Sequence, residues 1–175
     1  MRCVIRLDAA RWAGYLFRLP SAVSDSPVWN TRMRLVGHGL DVVEVPRLLP
    51  VDPDEAALFL TRCFRPSELA AVGEGPHRPS RLAARFAAKD AVLKALGTGS
   101  GDDIAFTDIE MGTTPAGAPT VALHGRCAEV ATALGVSRWL LSLTHTDTIA
   151  VASAIAVSEE TVGAVEHSRA HNTVA

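Results

Sequence analysis

The sequence predicts an α+β domain in which an antiparallel sheet packs against one long central helix. Three observations lead there. The β-branched apolar runs are not separated by regularly spaced helices, which argues against a doubly wound parallel sheet. Residues 80–96 have helical spacing but are apolar or small on nearly every side, the mark of a buried helix. Residues 139–143 and 149–157 flank a polar turn, Thr144 to Thr148, as two paired strands would. The chain has 175 residues, 48% of them hydrophobic, enough for one domain with a real core.

The elements follow in order. Residues 35–45 are apolar, β-branched and punctuated by Gly37 and Gly39; they read as a strand ended by Pro46. A short helix is expected over 54–63, capped by Asp52 or Asp54, and a second over 66–72 started by Pro66-Ser67. Residues 73–79 are a Gly, Pro and polar loop. Ser80 is the natural N-cap of the central helix and Gly97 its C′ residue. Strands over 104–111 and 120–123 enclose a turn, and a helix over 126–134 ends at Gly135. Residues 1–33 carry two of the three Trp and the only Tyr and read as an appended arm. The compact domain covers 34–158 and a polar tail 159–175.

Charge narrows the function. The formal net charge is -2 and the pI about 6.3, which argues against a broad nucleic-acid surface. No apolar run reaches the length of a membrane span, and charged residues interrupt anything resembling a secretory leader. Cys3, Cys63 and Cys127 are scattered without metal-binding or disulfide spacing, which suits a cytoplasmic protein. Of the 17 basic residues only Lys89 and Lys94 are lysines, and both sit on the central helix.

That helix has no ordinary solvated side, yet it carries Arg81, Arg85, Lys89, Asp90 and Lys94. Charges so placed must be paired with each other or meet a charged ligand. An Asp90–Lys94 pair at i,i+4 with Lys89 snorkelling satisfies the first option. Asp41, between Leu40 and Val42 on the face of Gly37 and Gly39, likewise calls for a cation; Glu44 would face the other way in a straight strand. The run Gly97-Thr98-Gly99 lies after a helix rather than before one, so it fits neither a dinucleotide fingerprint nor a P-loop.

Three segments in register resemble the holo-(acyl carrier protein) synthase family of 4′-phosphopantetheinyl transferases: VGHGLDVVEV at 36–45, RFAAKDAVLKALGTG at 85–99 and LSLTHTD at 141–147. FRPSEL at 64–69, DIE at 108–110 and GAPTV at 117–121 support them. The resemblance covers about residues 35–157. It implies magnesium-dependent transfer (manganese being an alternative) of the phosphopantetheine arm of coenzyme A, as co-substrate, to a serine of an apo acyl carrier protein. The product besides the holo carrier protein is 3′,5′-ADP, in fatty-acid or polyketide biosynthesis. It further implies a homotrimer, with no nucleic-acid or membrane partner.

Carried over residue by residue, Asp41 matches a metal-binding aspartate, and Asp90 stands where the family has a metal-binding glutamate. Lys94 matches a lysine near the CoA phosphates and His145 a histidine lining the CoA site. Arg85, Lys89, Gly97, Thr98, Gly99 and Thr146 fall in segments expected to contact CoA. Metal-bound water, Glu44, Asp90 through a water, and His145 all stand open as the general base. Arg62, Arg65, Arg78 and Arg81 are candidates for docking an acidic carrier protein, against the alternative of ordinary solvated arginines. Asp90 is one methylene shorter than glutamate, which marks a divergent member. The alternatives are a homologue that binds CoA or carrier protein without catalysis, and an acyltransferase that uses the acyl group of acyl-CoA.

Overall fold

The computed structural model describes residues 31–99 and 103–161. Strand β1 (Thr31–Glu44) leads into α1 (Val45–Leu48), α2 (Pro53–Cys63), α3 (Pro66–Val72) and the central helix α4 (Arg78–Ala95). A single 3-10 turn (Phe106–Asp108) precedes β2 (Ile109–Thr113), β3 (Pro119–Leu123), α5 (Gly125–Ala133), β4 (Arg138–His145) and β5 (Ile149–Thr161). The expected antiparallel arrangement is present, divided into two sheets: β1-β5-β4 and the hairpin β2-β3. No helix among the described residues is long and apolar enough to cross a membrane.

Local chemistry explains most boundaries. Asp52 Oδ1 accepts from the amides of Asp54 and Glu55 at 2.9 and 3.0 Å, capping α2. Pro46 does end β1, and it does so by starting α1, where its fixed φ suits the first helical turn. At the end of α4 the Thr98 amide reaches Leu93 O and the Gly97 amide reaches Lys94 O, each at 3.1 Å. Gly97 has φ +69, so this is a Schellman stop. The helix begins at Arg78 rather than at Ser80: Pro79 occupies the first turn, and the buried Ser80 hydroxyl donates to His77 O at 3.0 Å. Residues 104–108, expected as strand, include the 3-10 turn that places Phe106 against Phe86 at 4.9 Å between ring centroids. Strands β1 and β5 are longer than the sequence pattern indicates, because β1 from Thr31 pairs with β5 as far as Thr161. The rest of the N-terminal arm and C-terminal tail lies outside the described residues.

The core explains the alanine content. Ala87, Ala88, Ala91 and Ala95 of α4 pack on Ala152, Ala154 and Ala156 of β5, all buried. On β1 the approach is closer still. A Cβ on Gly39 would lie 1.9 Å from Ala91 O, and one on Gly37 would lie 1.9 Å from Ala95 O. Only glycine lets β1 run this near the backbone of α4. Of the residues of α4, only Pro79 in its first turn and Lys94 in its last are exposed, so the helix has no continuous solvated face.

Candidate functional site

The close β1–α4 contact brings Asp41, one strand pleat beyond Gly39, against the last turns of α4. There Lys94 Nζ donates to Asp41 Oδ1 at 2.7 Å, to Asp90 Oδ2 at 2.8 Å and to Leu40 O at 3.2 Å. Burial raises the Asp41 carboxyl above its ordinary pKa, and the hydrogen bond from Lys94 opposes that rise. Hydrogen bonds to Asp41 and then Asp90 raise the Lys94 ammonium. Both carboxylates line a groove of about 500 Å³ together with Glu44, Arg47, Phe59 and Phe86. Glu44 therefore shares the groove with Asp41 although a straight strand would separate them: it is the last residue of β1, where the chain turns into α1. Its carboxylate sits 3.5 Å from the Arg47 guanidinium, both well exposed.

A second cleft, of about 190 Å³, opens beside an adjacent row of α4. Arg81, Ala84 and Arg85 form one wall, and Met111 to Thr113, Gly117, Pro119, Leu143 and His145 contribute the rest. Here the electrostatics are unbalanced. The Nε groups of Arg81 and Arg85 are buried without a hydrogen-bond partner. Arg81 donates through Nη2 to Glu74 O, whereas Arg85 has no acceptor among the described residues, and burial lowers its pKa. Buried cationic donors left unsatisfied are what an anionic ligand would complete.

Lys89 is not brought to either opening. Its ammonium is fully buried and donates to Glu68 Oε2 and Cys63 O at 2.7 Å each and to Phe106 O at 3.1 Å, over the ring of Phe64. Glu68 also accepts from the amides of Arg65 and Met111. This lysine links α4 to α2, α3 and the 3-10 turn, and through Glu68 to β2, and in this arrangement it has no donor left for coenzyme A. The snorkelling expected from sequence does not occur, because the partner carboxylate lies inside the protein. Gly97, Thr98 and Gly99 lie together just past α4, and Thr146 forms the β4–β5 turn, its hydroxyl accepting from the amides of Thr148 and Ile149. Of the four arginines considered for docking, Arg65, Arg78 and Arg81 spend donors on backbone carbonyls. Arg62 alone of the four makes no side-chain hydrogen bond among the described residues, and it is exposed.

Sequence reasoning missed the apolar side of the groove, Phe59 and Phe86, and the contribution of Thr113 to the cleft. The Phe59–Phe86–Phe106 ring contacts join three elements distant in sequence, and no local pattern announces them.

The 4′-phosphopantetheinyl transferase superfamily profile matches residues 37–152, which span both openings. The chain is 42% identical over 121 residues to a holo-[acyl-carrier-protein] synthase of Koribacter versatilis, covering 69% of this chain and 97% of that protein. Among solved structures, holo-ACP-synthase from Plasmodium yoelii superposes with a TM-score of 0.63 at 27% identity, covering 74% of this chain and 99% of that one. The Bacillus anthracis holo-(acyl-carrier-protein) synthase in complex with CoA (3′,5′-ADP) gives 0.58 at 29% identity, covering 73% and 99%.

Proposed function

The chain belongs to the holo-(acyl carrier protein) synthase family of the 4′-phosphopantetheinyl transferase superfamily, and on that premise we propose that it moves the phosphopantetheine arm of coenzyme A onto a serine of an apo acyl carrier protein, releasing 3′,5′-ADP. The observation that carries this reading is the pairing of Asp41 and Asp90 on one groove, with a cationic cleft of Arg81, Arg85 and His145 opening beside another row of the same helix.

The donor set fits magnesium. Asp41 and Asp90 offer hard carboxylate oxygens, and no third His, Cys, Asp or Glu among the described residues joins them in a closed cage. Two protein carboxylates with the remaining positions left to water and phosphate oxygens is the usual magnesium pattern. A bound magnesium would withdraw charge from the phosphoryl oxygens under attack.

The chain's own residues do the rest. Arg81, Arg85 and His145 supply cationic and hydrogen-bonding groups for the phosphates of the nucleotide end, while Gly117 and Pro119 wall its cleft. Lys94 meets negative charge developing on the leaving 3′,5′-ADP. The acceptor serine would enter the 500 Å³ groove, where Glu44 and Asp90 are the carboxylates placed to take its proton, directly or through water. The exposed Arg47 and Arg62 remain available to an acidic carrier protein. On the outer face of β1-β5-β4, exposed Leu40, Val42 and Leu140 support self-association, and we extend the reading to a homotrimer.

The test is incubation with CoA, magnesium and a panel of apo carrier proteins, followed by intact-mass measurement. A phosphopantetheine mass gain on the carrier protein is expected. Binding with no mass gain on any carrier protein would sink the reading, and an acyl mass without phosphopantetheine from acyl-CoA would replace it with acyl transfer.

A further inference from the structure

The ammonium of Lys94 has three N–H donors, and all three are spent: on Asp41 Oδ1 at 2.7 Å, Asp90 Oδ2 at 2.8 Å and Leu40 O at 3.2 Å. Three converging oxygens, two of them anionic, form the kind of cradle a hard cation takes. In this arrangement Lys94 cannot also donate to a phosphate, and a divalent ion cannot sit between the same two carboxylates without meeting a positive charge at bonding distance.

We propose that Lys94 is an internal competitor for the metal: without a divalent ion its ammonium occupies the cation position between Asp41 and Asp90, and it must withdraw for the ion to enter. This rests on the reading of Asp41 and Asp90 as metal ligands. Withdrawal is sterically open, because the Lys94 side chain is 47% exposed at the last turn of α4, where its four-carbon stem can swing toward solvent. The displaced ammonium regains three donors at the moment the metal arrives. A substrate phosphate is then the acceptor that replaces the lost carboxylates. The order that follows is metal first, lysine release second, phosphate clamping third. Asp90 sharpens the competition. Its short side chain is already committed to Lys94 within one helical turn, and the i,i+4 spacing keeps the two in reach whatever β1 does.

The experiment is a manganese titration of the full chain in the absence of CoA, with free ion read by electron paramagnetic resonance. It compares wild type, Lys94→Met, Lys94→Arg and Asp41→Asn, each checked for folding by its thermal melt. Lys94→Met should bind manganese about tenfold tighter than wild type, since the competing charge is gone, whereas Lys94→Arg keeps a cation there and should stay within about threefold of wild type. Asp41→Asn should lose the binding. If Lys94→Met binds manganese no tighter than wild type while Asp41→Asn loses it, the competition is wrong and the metal site stands. If Asp41→Asn binds as wild type does, the metal site is wrong and the competition falls with it.

Discussion

Asp41 of β1 and Lys94 of α4, 53 residues apart, are joined by a 2.7 Å charged hydrogen bond. That contact exists because β1 carries glycine where α4 presses on it. A Cβ at Gly39 would come within 1.9 Å of Ala91 O, a backbone atom with no freedom to yield. The glycines thus act on the site at one remove: they set the distance between a strand carboxylate and a helix ammonium.

Gly39→Ala should therefore damage stability and site together. The overlap with helix backbone is expected to cost about 3 kcal/mol or more. Chemical denaturation reads the loss, and a manganese titration of the folded fraction should show weakened binding. A wild-type midpoint would mean that β1 and α4 have room to part.

Asp41→Asn and Asp90→Asn preserve size while removing the charges that face Lys94. Each should lower phosphopantetheine transfer by at least about a hundredfold in the mass assay. Asp90→Glu restores the carboxylate with one more methylene and should retain activity. Equal inactivity of Asp90→Glu and Asp90→Asn would mean that the local backbone is fitted to the shorter side chain.

Arg85 should show stability and function pulling apart. Its guanidinium is partly buried with no acceptor among the described residues, so Arg85→Met removes an unpaired charge. We expect KM for CoA to rise about tenfold while unfolding stability increases by about 1 kcal/mol. A fall in stability would show that the guanidinium is satisfied in the free protein.

The Lys89–Glu68 pair is fully buried and bonded on both sides, so its parts should be far from independent. Lys89→Met and Glu68→Gln should each cost about 3–5 kcal/mol by leaving one charge uncompensated. The double variant should cost less than the sum of the two. Additive losses in a denaturation cycle would refute the coupling.

Cys127 supplies a pH dependence. Burial pushes its thiol up from the ordinary 9.0 to about 11, so the unfolded chain gives up this proton first. Stability from this group is complete below pH 9 and is lost as pH rises toward 11, by about 2–3 kcal/mol in all. Comparing wild type with Cys127→Ala across that range isolates the effect; parallel curves would count against it.

Much of this molecule was legible in the sequence because the signals are local. The Asp52 cap, the Gly97 stop, the breaks at Pro46 and Pro66, and the strands around Thr144 to Thr148 each depend on a few neighbouring residues. An α4 without a solvated face followed from its pattern of alanines and leucines, and its charges could then be read as needing partners. Which partners was a tertiary matter. Lys89 and Lys94 are five residues apart on one helix, and nothing in their spacing says that one is sealed against Glu68 while the other bridges Asp41 and Asp90. Helix rotation decided that, set by glycines on β1 and alanines on β5 that let the backbones close together. The sequence by itself determined the elements and the need for charge compensation. The packing distance between β1 and α4 decided which charges meet, because ion pairs form over a few ångströms and only the folded chain specifies separations that short.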